Sequence, residues 1–325
     1  VGVERSRPRL ARLPALHEGL VLLVALAAGL GLALPHAARA LRPGVPEMLA
    51  AQVAGVGLTI SAQQLAPLVR RGGALVVALG IQWTLLPLVG LGLYHLVSGA
   101  VGEGAFVTGA APAEITSALV AVLAGGTAAT SAALMTASVG LGCVLTPLWL
   151  LLLHGPGVGP GGLVTELLLS VALPLGVSVV LRTRLPALAA HPRRCLDLAG
   201  CGLLLVVFVG AGEARGIFLS GRLGLAVACA GVLTLAGAAA GLLAGSIART
   251  TAERLALAYP VGMREFGIAT AVAIAVVPRA AGFGGLYGVV MMLAATASAG
   301  LLRRAGRAPA APLSERRDRG TGLQR

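Results

Sequence analysis

The sequence predicts an all-α polytopic membrane protein of ten transmembrane helices, built as two inverted five-helix repeats with spans four and nine broken. Three observations carry this. The 325 residues are 57% hydrophobic and 11% charged, with mean hydropathy +0.91. Soluble domains carry about 25% charged residues, and one soluble core cannot hide this much apolar surface. Apolar segments long enough to cross a bilayer then recur along the chain. Two of them, Ala111-Pro112-Ala113-Glu114-Ile115-Thr116-Ser117 and Tyr259-Pro260-Val261-Gly262-Met263-Arg264-Glu265-Phe266-Gly267, hold a proline and ionisable groups where a lipid-facing helix has none. Their prolines lie 148 residues apart, close to half the chain.

Residues 1–18, with Arg5, Arg7, Arg9 and Arg12, read as a cytoplasmic tail. Span one follows at about 19–34. A basic start, an apolar run and Ala38-Arg39-Ala40 also resemble a cleaved signal peptide, but the repeat needs this segment as a permanent span. Span two is about 49–65, and Arg70 and Arg71 follow it. Span three, about 73–97, contains Gln82 and Pro87. Span four, about 104–124, is broken at Pro112, and Gly125-Gly126 turn the chain into span five at about 128–153. A glycine- and proline-rich loop, 154–164, separates the repeats. Spans six to ten are placed at about 165–181, 197–213, 223–247, 253–277 (broken at Pro260) and 281–302. Residues 303–325 read as a disordered basic tail.

Shifting spans one to five by 148 nearly reproduces spans six to ten. The units are therefore 19–153 and 165–302, and an odd span count per unit inverts the second copy. Every basic residue is arginine. With both termini in the cytoplasm, 19 arginines fall on the inner side, 5 on the outer side and Arg264 inside span nine, as the positive-inside rule requires. The expected location is the plasma membrane.

A broken helix offers backbone N–H groups at one half and carbonyls at the other; the first attract anions and the second coordinate cations. Two breaks brought together make a site for an ion and a polar solute, which is the chemistry of secondary transport. Glu114, Thr116, Arg264 and Glu265 are the candidate substrate-binding residues. A permanently charged guanidinium suits a carboxylate. A standing ion pair of Arg264 with Glu114 or Glu265 is the structural alternative, and proton uptake by either glutamate is another. Gln82, Ser117, Ser131 and Thr136 carry neutral oxygens that suit a hard cation; for the hydroxyls, a bond to their own helix is the plainer reading.

The pattern resembles the bile acid:sodium symporter family over about residues 19–302. The carrying features are Gly57-Leu58-Thr59-Ile60-Ser61, Gln82 with Pro87, Ser117 in the broken span four, Leu123-Ala124-Gly125-Gly126, Ser131, and Gly262-Met263 followed by Gly267-Ile268-Ala269-Thr270-Ala271. The resemblance implies a panel domain of spans one, two, six and seven, and a core in which spans four and nine cross. It implies sodium-coupled import of bile acids or other organic anions. Gln82, Ser117 and Ser131 carry over as candidate sodium ligands, with Thr136 beside the expected threonine position and Met263 within the span-nine motif. The family's Glu-Val-Gly-Met-Gln-Asn reads Pro260-Val261-Gly262-Met263-Arg264-Glu265 here, and its Ser-Asn reads Ser117-Ala118. The principal acidic ligand is thus absent, and Arg264 is expected as a tethered cation with Glu114 and Glu265 as counter-charges, which would make the transporter sodium-independent or proton-coupled.

Expected partners are a small organic anion, the lipid bilayer and a second copy in a homodimer; sodium is the one coupling ion implied, with no other cofactor. Nucleic-acid binding is disfavoured because the arginines sit beside spans rather than on one face. No HExxH, paired histidine or aspartate pair supports an enzyme. A receptor that binds without moving its ligand is the third class. Arsenite export is disfavoured because Cys143, Cys195, Cys201 and Cys229 lie off the broken spans.

Overall fold

The computed structural model describes residues 14–60, 72–153, 165, 167–185, 192–213, 215–219 and 221–305. Ser61, Arg70, Arg71, the 154–164 loop and most of both tails lie outside the described residues. Nearly all the rest is helical.

Prolines set several of the boundaries. Helix α1 (Pro14–Ala33) stops two residues before Pro35, which opens the short α2 (Pro35–Ala40). A 3-10 turn at Arg42–Gly44 leads into α3 (Val45–Gly57), again with proline in its first turn. The second apolar segment therefore begins four residues earlier than its hydropathy suggests. Next come α4 (Gly72–Leu96), α5 (Ala100–Gly109), α6 (Ser117–Leu123) and α7 (Ala128–Leu150). Gly125, in the turn between α6 and α7, adopts φ +103°, a value other residues reach only with strain. A π turn at Leu168–Ala172 runs into α8 (Leu173–Arg184), where Pro174 has no N–H to close an ordinary helical turn. The remainder are α9 (Pro192–Glu213), α10 (Arg215–Leu219), α11 (Leu223–Ser246), α12 (Thr251–Gly262), α13 (Phe266–Val276) and α14 (Ala281–Ala305).

Four helices, Gly72–Leu96, Ala128–Leu150, Leu223–Ser246 and Pro278–Arg304, are long and apolar enough to cross a membrane. Their outward faces carry large apolar residues such as Val76, Leu148, Leu235 and Leu293. The chain is a multi-pass membrane protein on these grounds. Packing relies on small residues, as expected where lipid removes the hydrophobic drive between helices. On α11, Gly237, Gly241 and Gly245 form one stripe against α12. On α3, a Cβ added at Gly55 would lie 2.5 Å from the Cys195 carbonyl of α9.

Helices α1, α3 and α9 pack together, with α8 on α3; α4 lies along α5, α11 along α12, and α6 and α7 rest on α12. Arg42 joins two of these groups, donating to the Ile274 carbonyl (3.1 Å) at the end of α13 and pairing with Glu213 of α9 at 4.0 Å. Arg279 forks onto Glu103, with its Nε 2.8 Å from Oε2. No disulfide joins Cys143, Cys195, Cys201 and Cys229, and three of the four are buried.

Candidate functional site

Both breaks are present and they meet. The first spans residues 110–116, between α5 and α6. The second spans 263–265, between α12 and α13, and it corrects the sequence expectation. Pro260 sits inside α12, and the helix continues to Gly262 before Met263 and Glu265 become extended. A proline blocks the bond back to residue 256, yet its φ suits a helix, so one more turn forms.

Unwound backbone away from water has to find partners, and the two breaks supply them to each other. Ala113 and Arg264 pair as an antiparallel bridge. Glu114 N–H donates to the Met263 carbonyl (3.0 Å), and Glu265 N–H to the Pro112 carbonyl (2.9 Å). The flanking helices satisfy the remaining groups. Ala113 N–H donates to Ser138 Oγ at 2.9 Å, Thr146 Oγ1 to the Ala110 carbonyl at 2.8 Å, and Arg264 N–H to the Tyr287 hydroxyl at 3.3 Å. Ser138→Ala leaves the Ala113 N–H buried without an acceptor. It is expected to lower stability by about 1–3 kcal/mol, read as reduced thermal stability of the purified chain in detergent.

Arg264 is fully buried. Its Nη1 donates to the Ala111 carbonyl (2.6 Å) and its Nη2 to the Val261 carbonyl (3.0 Å), while Nε has no partner. One guanidinium thus bridges the carbonyl ends of α5 and α12, where a helix favours positive charge. It forms no ion pair with Glu114 or Glu265, so the ion-pair alternative is set aside. Neighbours in an extended segment point to opposite sides; Arg264 faces the carbonyl ends and Glu265 the N–H ends.

Glu265 accepts from Ile115 N–H (2.9 Å), Gly267 N–H (3.1 Å) and Gln52 Nε2 (3.0 Å). Glu114 accepts from the N–H and hydroxyl of Thr116 through Oε1, at 3.2 and 3.1 Å, and its Oε2 has no partner. Glu265 therefore caps α13, and Glu114 closes the turn that leads into α6. Adjacent N–H groups hold the two carboxyl groups side by side, that of Ile115 on Glu265 and that of Thr116 on Glu114.

Of the candidate cation ligands, Gln82 donates Nε2 to the Pro260 carbonyl (2.9 Å) and leaves Oε1 free. Ser117 Oγ is buried with no partner. Ser131 and Thr136 spend their hydroxyl protons on their own helix, at Thr127 (3.0 Å) and Ala132 (2.8 Å). The Met263 carbonyl holds Glu114 N–H, and its side chain packs in an apolar cluster with Phe266 and Tyr287. Gln52, Ser138 and Tyr287 were not singled out from sequence. Gln52 carries a signal of the same kind as Gln82, an amide in an apolar span; Ser138 and Tyr287 carry none.

The family model described as the sodium bile acid symporter family matches residues 47–220. An uncharacterized sodium-dependent transporter, YocS, of Bacillus subtilis (strain 168) is 29% identical over 231 residues, covering 68% of this chain and 70% of that protein.

Proposed function

The chain belongs to the sodium bile acid symporter family, and from that premise we propose that it is a secondary active transporter carrying a small organic anion with sodium. It is a transporter rather than an enzyme. The observation that carries the reading is the meeting of the two breaks, which sets the carbonyl ends of α5 and α12 and the N–H ends of α6 and α13 around one bridge. Such a crossing holds opposite charges at neighbouring points, as co-transport of a cation and an anion needs.

The crossing also supports two inverted five-helix repeats. Ala113 faces Arg264, an offset of 151 (264 minus 113), and at that offset Glu114 corresponds to Glu265. Each caps the residue two positions on, Thr116 and Gly267. In this reading the chain has ten spans and lies in the plasma membrane with both termini inside, as the arginine distribution favours. The groups around α3 with α9 and around the crossing are the panel and the core.

The residues fit sodium in part. The free oxygens of Gln82 and Ser117 suit a hard cation. The carbonyls of Ala111 and Val261 do not, because Arg264 holds them. When bound, sodium would couple its gradient to solute movement. Arg264 is a permanent cation in the crossing and not the grip on the substrate, since its fork is closed on backbone. A substrate carboxylate, bile-acid-like or simpler, is received beside Thr116 at the N–H ends of α6 and α13. The Glu265 carboxylate already held by Ile115 and Gly267 supports that placement. A second reading, proton-coupled or sodium-independent transport, draws on the facing glutamates and on Arg264 standing in for a cation.

Uptake of a carboxylate panel into proteoliposomes tests this, with sodium and proton gradients imposed separately. The expected result is accumulation driven by inward sodium and lost when sodium is replaced by choline. Uptake that follows the proton gradient alone would favour the second reading, and no uptake of any solute would remove both.

A further inference from the structure

We propose that one monovalent cation, sodium in the cycle above, binds between the carboxyl groups of Glu114 and Glu265, with the amide oxygen of Gln52 as a third ligand. The inference rests on the sodium reading and names a site for the ion apart from Gln82 and Ser117.

Charge is the first argument. Three formal charges are buried at the crossing: Arg264 and Glu265 at 0% exposure and Glu114 at 1%. The guanidinium is committed to neutral carbonyls and touches neither carboxylate. Two carboxyl groups side by side and out of water cannot both stand ionised without a positive charge between them, a proton or a metal cation. With both ionised the three groups leave a net of one negative, which one proton or one monovalent cation cancels. Among the described residues no third acid, histidine or cysteine joins the pair to make a polydentate divalent site.

Unfilled coordination is the second argument. Glu114 Oε2 is buried and has no hydrogen-bond partner. Gln52, on α3 and 3% exposed, gives Nε2 to Glu265 and leaves Oε1 buried without a partner. Buried polar atoms are almost always paired, so two orphaned oxygens beside a carboxyl pair mark the place of an absent ligand.

Position is the third. A Cβ added at Gly267 would lie 2.9 Å from Gln52 Oε1, 2.9 Å from Glu265 Oε1 and 3.0 Å from Gln52 Nε2. The amide of α3 and the carboxylate of the second break thus pack directly against the first turn of α13, and only glycine lets them stand that close. The three ligands come from α3, the first break and the second break. A cation held by all three clamps α3 onto the crossing, so ion occupancy biases the position of α3 relative to the core. That link is the coupling step a symporter requires.

The test uses the purified full chain in detergent without substrate. Radioactive sodium binding and sodium-induced thermal stabilisation are measured at constant ionic strength, with choline as the replacement. The wild type is expected to bind sodium saturably, and Glu114→Gln and Gln52→Leu to bind it about tenfold or more weakly. Gly267→Ala, whose Cβ would displace the Gln52 amide and the Glu265 carboxylate, should weaken it too. Thermal stability in choline shows whether each variant is folded. Wild-type affinity in both folded Glu114→Gln and Gln52→Leu would overturn the site and leave sodium coupling intact. A wild type that binds no sodium, and whose stability follows pH instead, would overturn the site and the sodium reading together.

Discussion

Leucine at Gly237 is expected to abolish transport and to leave little folded protein in the membrane. A Cβ at Gly262 would lie 2.8 Å from the Gly237 carbonyl, and the reciprocal Cβ at Gly237 would meet the Gly262 carbonyl more closely still. The neighbour on each side is backbone, so no rotamer change relieves the clash. Overpacking a well-filled contact costs about 1–3 kcal/mol where the surroundings can shift. Here they cannot shift freely. Gly262 ends α12, and the next residue, Met263, accepts the Glu114 N–H of the bridge. Displacing α12 pulls on the bridge and on the carbonyl of Val261 that holds Arg264. Gly231→Leu is the control: it lies on the same helix, and a Cβ there meets nothing within 4 Å. Size-exclusion profiles of the detergent-extracted protein and uptake rates should separate the two variants. Wild-type behaviour of Gly237→Leu would mean that α11 and α12 do not hold this contact in the membrane.

Both breaks were legible in the sequence because a glutamate or arginine in an apolar segment is a strong signal. Their register was not. The prolines suggest an offset of 148, whereas the bridge sets 151. The length of unwound chain is decided by tertiary pairing: Pro112 lies in unwound backbone, while Pro260 is tolerated within a helix. The ion-pair expectation for Arg264 failed on local geometry, since residues 264 and 265 face opposite sides of an extended segment. The tethered-cation expectation gave Arg264 the two glutamates as counter-charges, whereas its guanidinium is held by the carbonyls of Ala111 and Val261. Gln52 could have been read by the criterion that selected Gln82. Tyr287 could not, because a tyrosine in a tenth apolar segment gives no hint that its hydroxyl will meet the Arg264 N–H.

Arg264→Gln is the substitution with the most informative expected outcome. The family resemblance places glutamine at this position, and the swap removes a buried positive charge while keeping an amide. It frees the carbonyls of Ala111 and Val261, and the two glutamates then stand without a fixed counter-charge. Stripping one member from a set of buried charges costs about 3–5 kcal/mol when nothing replaces it. In choline the variant should therefore unfold at a clearly lower temperature than the wild type. Sodium can replace the lost charge, and two ions are now needed where one sufficed. The sodium dependence of uptake should steepen, with the Hill coefficient rising from about one towards two, and high sodium should restore much of the thermal stability. Arg264→Lys keeps the charge but cannot fork onto two carbonyls from different helices. It should retain single-ion sodium dependence at reduced stability. If Arg264→Gln keeps the wild-type sodium curve and a thermal stability indifferent to sodium, Arg264 is a packing residue, and the cation count of the crossing is set elsewhere.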